Sequence, residues 1–221
     1  MVIAIDGPAG SGKTTIGRMV ANALSFALVD TGLFYRAVTV EARRRGIAPD
    51  DVPALTSMIA AMVIEVSIAS GADVKNLVSI NGQDVTAEAQ DAAIAGDLAR
   101  IAQIADVRRL LIEPQRRAAD GNAVVLGRDI GTVIFPDAAV KFFFTAPAAE
   151  RVARRKRELD KVRGSTTPDA VLEQEIEGRD RADEQREVAP LRRAPDAIIV
   201  ATEGKSVHQV FDEVMGRLPK H

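Results

Sequence analysis

The sequence predicts an α/β fold: a five-stranded parallel sheet with helices on both faces, carrying a small antiparallel β insertion. Three observations predict it. Short apolar runs at 2–5, 27–29, 123–126, 140–144 (broken only by Lys141) and 197–200 read as strands buried on both faces. The segments between most of them carry apolar residues at helical spacing, the alternation of a doubly covered sheet. In the middle, alternating stretches at 62–69, 76–80 and 83–86 are joined by Ser70-Gly71 and Asn81-Gly82, so residues 63 to about 90 read as antiparallel hairpins.

Taken in order, the first strand ends at Asp6-Gly7-Pro8, and a helix starts at Lys13, with Ile16, Met19, Val20, Ala23 and Leu24 on one stripe. The second strand closes at Asp30-Thr31-Gly32. A helix over 33–45 follows and is stopped by Gly46. Past the insertion, 87–119 predicts one broken helix or two helices, with Pro114 early in the second. The later strands end at Gly127-Arg128-Asp129 and at Thr145. Helices at 147–162 and 168–187 come next, the first strongly basic, and 207–218 closes the chain.

Composition excludes several classes. A chain of 221 residues suits one domain with a moderate insertion. With 29 Lys and Arg against 31 Asp and Glu, no general attraction to nucleic acid or to an anionic membrane is expected. The absence of cysteine removes disulfides and thiol catalysis and fits a reducing cytoplasm. The N-terminus lacks a basic segment before its apolar run, and no stretch is long enough to span a bilayer, so a cytoplasmic address is expected. His208 and His221 are the only histidines, one on the closing helix and one terminal, which disfavours a Ser-His-Asp triad or a His metal site.

The strongest motif is Gly7-Pro8-Ala9-Gly10-Ser11-Gly12-Lys13-Thr14, which matches G-x-x-x-x-G-K-[ST] between a strand and a helix. Its glycines let backbone N–H groups converge on β- and γ-phosphate oxygens at a helix N-terminus. Lys13 would reach the same phosphates, and the Thr14 hydroxyl would ligate Mg²⁺. The motif alone leaves a GTPase, an ATP-driven machine and a small-molecule kinase open. A guanine-reading Asn-Lys-x-Asp is missing, however, and no pair of adjacent acids follows a hydrophobic strand.

In an open parallel sheet ligands sit off the carboxyl ends of the strands, so the loops at 6–14, 30–36, 127–132 and 145–147 should converge. They carry Arg36 and Arg128, guanidinium groups fit to hold an acceptor phosphate. Arg36 as a solvated helix residue and Asp30 as a simple N-cap stay open.

These residues resemble the bacterial cytidylate kinases. The resemblance rests on Gly7 to Thr15, on Asp30-Thr31-Gly32-Leu33-Phe34-Tyr35-Arg36, on 127–137, and on Arg179-Asp180 with Asp183, Arg186 and Val188-Ala189-Pro190-Leu191, and it runs over nearly the whole chain. It implies an ATP-dependent enzyme acting on CMP or dCMP with Mg²⁺, a monomer with small-molecule partners only. Its core would lie at about 1–32, 120–148 and 188–221, an acceptor-binding region at 33–119 and a lid at 149–168. Arg36, Arg128 and Arg186 would belong to the acceptor-phosphate and base region, with Thr31 and Tyr35 beside them. Arg108 and Asp129 would lie at the cytosine edge, and Arg179 with Asp183 would hold the ribose. The basic run at 150–157 matches the lid, from which Arg151 and Arg155 would contact the nucleotide. Ala99 stands where the family often has a Ser contacting the base, Leu126 replaces a usual acid, and Ala201 a usual Asp. A UMP kinase, a kinase for another small acceptor, and an ATP-binding module without catalysis remain the rival readings.

Overall fold

The computed structural model describes residues 1–68, 76–163 and 168–219. Strands β1 (Val2–Asp6), β2 (Ala27–Asp30), β6 (Ala123–Gly127), β7 (Val140–Thr145) and β8 (Ile198–Ala201) form one parallel sheet in the order β2-β6-β1-β7-β8. β1 is central, with Asp6 in register with Gly127 on one side and Phe143 on the other. All five strands therefore end on the same edge of the sheet.

Why the strands read as continuous apolar runs is visible in their alternation. Ala4, Val29, Ala123 and Val125 face one core, shared with Phe34, Val38, Val107 and Leu111 of α2 (Gly32–Arg44) and α6 (Ala105–Ala118). Ile3, Ile5, Val124, Leu126 and Phe142 face the other, shared with Ile16 and Val20 of α1 (Lys13–Leu24) and Val210 and Val214 of α9 (Val207–Gly216). Each face meets a helix layer, so both sets of side chains leave water.

The insertion is present. β3 (Ile64–Ile68) pairs antiparallel with β4 (Asn76–Ile80), which pairs with a two-residue β5 (Gln83–Asp84). Asn81 and Gly82 have φ of 52° and 79°, the left-handed pair that a tight hairpin requires. The Ser70-Gly71 turn lies outside the described residues. Val66, Val78 and Ile80 add this sheet to the α2–α6 core.

Three expectations are corrected. The third alternating stretch stops at Asp84, because Thr86 opens a short helix, α4 (Thr86–Gln90), instead of extending the strand. The region 87–119 is broken more often than expected: α4, a 3₁₀ turn at Ala92–Ile94, α5 (Ala95–Ile101) and α6. Asp91 makes the first break, accepting from the amide of Ala93 with an extended backbone. Pro114 sits late in α6, not early; the helix donor it lacks would have served the carbonyl of Leu110, a residue 38 % exposed. A further helix, α3 (Val52–Ala60), went unanticipated although its signal is local: Asp51 caps it by accepting from Ala54 N, with Pro53 in the first turn. α7 (Ala148–Arg163) and α8 (Asp169–Gln185) pack through Val152, Leu172 and Ile176.

The approach of α1 to the sheet is set by Gly17. A Cβ there would fall 2.6 Å from Leu126 Cδ2, so the helix lies on the strand as closely as a hydrogen side chain permits, and an acid at 126 would be buried against it. Adding a methyl at position 17 should cost about 1–3 kcal/mol in overpacking, against about 1 kcal/mol gained from helix propensity. Gly17→Ala is therefore expected to lower the unfolding free energy measured in urea. Gly178→Ala, in α8 with open space around its Cβ, should raise it by up to about 1 kcal/mol.

Candidate active site

The Gly-rich loop leaves the central strand and enters α1. Gly7 has φ 144°, and a Cβ on it would stand 2.3 Å from the carbonyl oxygen of Phe144 on β7, so no other residue fits. Gly12, with φ 93°, turns the chain into α1. Ser11 Oγ donates to Pro8 O at 2.9 Å and holds the loop closed. Lys13 is buried, and its Nζ donates to the carbonyls of Gly7 and Pro8, both at 2.7 Å. Burial pushes its pKa well down, and repulsion from Arg128 and Arg179 pushes it further, while Asp30 and Asp6 oppose them. Thr14 and Thr15 are exposed in the first turn of α1.

At the end of β6, Arg128 donates through Nε to Asp183 Oδ2 at 2.9 Å, linking this strand end to α8. Asp183 Oδ1 accepts from Arg186 at 3.0 Å, and the carbonyl of Asp183 accepts from Leu191 N at 2.7 Å, which folds 188–191 back onto the helix. Asp129 accepts from Arg108 at 2.9 Å and stands 3.8 Å from Arg186. The Arg108 guanidinium lies 5.1 Å above the Tyr35 ring. Burial alone would lower the Arg108 pKa; Tyr35, Asp129 and Asp183 together raise it. Burial likewise raises Tyr35 to about 12, keeping the phenol neutral. Among the described residues, Arg108 Nε and Arg186 Nη2 are buried donors without a hydrogen-bond acceptor.

Arg36 donates to Ala89 O at 2.7 Å from the face of α2, and Asp30 accepts from Gly32 N at 3.0 Å, which turns β2 into that helix. The Thr31 hydroxyl donates to Leu126 O at 2.9 Å, so its present role is to tie β2 to β6. Arg179 keeps surface open to the cleft yet stands deep enough that burial, then Arg128, lowers its pKa to about 10; Arg36 and Arg155 add to the repulsion and Asp183 opposes it. Burial also lowers Arg36, with Asp30 opposing and Arg155 reinforcing. Lys13, Arg36, Arg128, Arg155 and Arg179 are thus linked by mutual repulsion, with Asp6, Asp30 and Asp183 as opposing charges.

The two basic helix residues singled out in the sequence do different things. Arg155 belongs to that cationic crowd. Arg151 is buried and donates to Ala146 O at 3.1 Å and to Ala9 O at 3.2 Å, with Asp180 at 2.5 Å, so it ties α7 to the loop and to α8. Arg154 was overlooked. It donates to Thr202 Oγ1 and to Thr202 O, each at 2.9 Å, and lies over Gly12. Its signal was its place one helical turn from Arg151. Thr202, whose hydroxyl lies 3.2 Å from both Ser11 O and Thr145 O, gave no signal at all. Asp6 did: a charged residue ending an apolar buried strand. Ala99 is exposed on α5, and Ala201 is exposed at the end of β8; nothing in the structure explains either substitution.

The site is that of a P-loop phosphotransferase fold. A cytidylate kinase family model matches residues 3–220. The bifunctional pantoate ligase/cytidylate kinase of Synechococcus elongatus is 42% identical over 217 residues, which are 97% of this chain and 41% of that protein. The chain therefore spans about two fifths of the length of such bifunctional relatives. The cytidylate kinase of Leuconostoc mesenteroides is 39% identical over 213 residues, 96% of this chain and 93% of the relative. That of Pelotomaculum thermopropionicum is 40% identical over 217 residues, 98% and 95% of the two. The chain belongs to the cytidylate kinase family. No described helix is long and apolar enough to cross a membrane.

One titration follows from the site. Asp6, 4 % exposed, has its pKa raised from 3.8 to about 6, chiefly by burial, with Asp129 adding and the Gly131 and Ile130 amides and Lys13 opposing. A carboxyl whose folded pKa exceeds its unfolded value favours folding below the unfolded value, and that contribution is lost as pH rises through the folded one. Stability of the wild type minus that of Asp6→Asn should accordingly fall as pH rises from 3.8 to 6, by about 2 kcal/mol within that window. Urea unfolding of both proteins across this range measures it; a flat difference contradicts the assignment.

Proposed function

We propose that the protein transfers the γ-phosphoryl group of ATP to CMP or dCMP, giving ADP and CDP or dCDP. The observation that carries this reading is the convergence of two anion-seeking surfaces on one cleft. Lys13 in the glycine cradle lies close enough to Arg128 and Arg179 to be repelled by them, and Arg179 is repelled in turn by Arg128, Arg36 and Arg155. Two phosphorylated ligands brought end to end would be held by these cations.

In this reading the amides of 7–14 and Lys13 hold the β- and γ-phosphates of ATP, and Lys13 exchanges its two carbonyl acceptors for phosphate oxygens. Arg36 and Arg128 hold the acceptor phosphate, and Arg179 with Asp183 holds the ribose. The acceptor oxygen is already ionised near neutrality, so no general base is required of the protein; orientation and charge neutralisation do the work. Arg155, on the helix of the proposed lid, stabilises the charge of the transferring group. Arg151 and Arg154 serve by holding that helix over the loop. The proposed divisions follow: a sheet core, an acceptor region of 33–119, and a lid from 149.

Among the described residues no three His, Cys, Asp or Glu cluster to cage a metal, whereas Thr14 offers one exposed hydroxyl beside the cradle. That donor set fits Mg²⁺, which keeps waters and shares phosphate oxygens. Bound there, Mg²⁺ would supply charge neutralisation to the phosphates.

Selectivity for cytosine is assigned to Arg108 and Asp129. A carboxylate accepts from the cytosine N4 amino group, and a guanidinium donates to N3 and O2. Uracil turns an acceptor toward the same carboxylate and is repelled. Arg108 Nε and, beside the pair, Arg186 Nη2 make no hydrogen bond among the described residues and have one still to give.

Lys13→Ala is expected to lower turnover at least a hundredfold, the scale of losing one charge-stabilising donor, with unchanged circular dichroism. Assayed with ATP against CMP, dCMP, UMP, AMP and shikimate, the protein should phosphorylate the two cytosine nucleotides well ahead of the rest. Preference for another acceptor would overturn the specificity, and ATP binding without any product would overturn the reaction.

A further inference from the structure

Asp6 is not a member of either anion-binding surface, yet it connects them. It is the last residue of β1, directly before Gly7, and its side chain turns away from the loop toward the segment after β6. Oδ1 accepts from Ile130 N at 2.8 Å and Oδ2 from Gly131 N at 2.7 Å. These are the first amides of a π-helical turn, Ile130–Ile134, whose other end closes on Asp129 through Val133 N and Ile134 N, at 2.9 and 3.1 Å from its carbonyl. A carboxylate with two equivalent acceptors matches two parallel donors at the start of a helical turn, where negative charge is favoured.

We propose that Asp6 is a positioning residue for the acceptor site: by holding both amides it fixes the backbone of Asp129, and with it the directions of Arg128 and Asp129, relative to the phosphate-binding loop. The proposal rests on the reading of 128 and 129 as acceptor contacts. Each end of the link is rigid. On one side the strand is central in the sheet and leads into Gly7, which is pressed against Phe144 O. On the other, Gly131 has no room to drift, since a Cβ on it would already stand 3.0 Å from Lys141 Cδ. Among the described residues, Asp129 has its long-range side-chain partners in Arg108 and Arg186, and Arg128 has its own in Asp183. Loosening the turn therefore releases the side chains proposed to hold the base and acceptor phosphate while the loop and Lys13 keep their own bonds.

An amide cannot replace this carboxylate, because Asn presents one acceptor and one N–H, and the N–H would face a second donor. The charged groups facing Asp6 are Lys13 from α1, Asp129 from the turn and, across Gly131, Lys141 from β7. Protonation below pH 6 would remove one acceptor in the same way.

The test is steady-state kinetics of Asp6→Asn with CMP and ATP varied separately, alongside amide NMR of the wild type. We expect KM for CMP to rise at least fivefold while KM for ATP stays within twofold. The Ile130 and Gly131 amide protons should titrate with an apparent pKa about 6. In the wild type KM for CMP should also climb below pH 6 more steeply than in the variant, which retains only the titration of the substrate's own phosphate. Unchanged KM for CMP, or equal losses toward both substrates in proportion to unfolded protein, would overturn the proposal. Should Asp6→Asn fail to fold, amides 130 and 131 that do not titrate in the wild type would overturn it instead. A wild type inactive toward CMP would refute the proposed reaction, an outcome separate from these.

Discussion

The organising constraint of this molecule is positive charge that is buried and held close to more positive charge. Lys13, Arg36, Arg128, Arg155 and Arg179 share one cleft, and each of the pKa shifts on Lys13, Arg36 and Arg179 includes a contribution from another cation in it. Left to themselves such side chains would swing apart into water. Here several are held by fixed acceptors: backbone carbonyls for Lys13 and Arg36, and Asp183 for Arg128. The scaffold thus holds cations close to one another at the strand ends, and anionic ligands are their natural counterions.

That arrangement requires the strand ends to be placed with little freedom. β1 lies between β6 and β7, so the loop after it, the Arg128–Asp129 corner and Thr145 emerge side by side. Helix α1 is pressed on Leu126 through Gly17, and the corner is held by Asp6. The two halves of the cleft differ in how they are secured. The loop half is held through its main-chain oxygens, by Lys13 from within and by Arg151 and Thr202 from afar, the acceptor half by a chain of ion pairs running Arg128, Asp183, Arg186, Asp129, Arg108.

Much of this was legible in the sequence, for physical reasons that also explain what was not. The loop could be read because its chemistry is contained within eight consecutive residues, and the five strands because a doubly covered sheet leaves an unbroken apolar signature. Arg128 and Asp129 could be read because the ends of parallel strands are where ligands gather. Asp6 and Thr202 were missed as site residues because their partners lie 124 and 191 residues away. Arg154 could not be ranked above Arg151 without knowing which face of α7 meets the loop. Within the fold, the break at Asp91 and the late position of Pro114 were decided by local side-chain bonding and exposure that outweighed the helical composition of 87–119. α3 was different: its cap at Asp51 was there to be seen.

The way α7 holds the phosphate-binding loop has an implication for how the sequence can drift. Arg151 and Arg154 reach mostly for main-chain oxygens, those of Ala9, Ala146 and Thr202. A carbonyl is supplied by every amino acid, so this grip recognises the path of the chain and is indifferent to most of the side chains along it. Positions 9 and 146 can therefore exchange one small residue for another over evolutionary time without loosening the helix. The arginines themselves, and the glycines that set the path, have no such latitude.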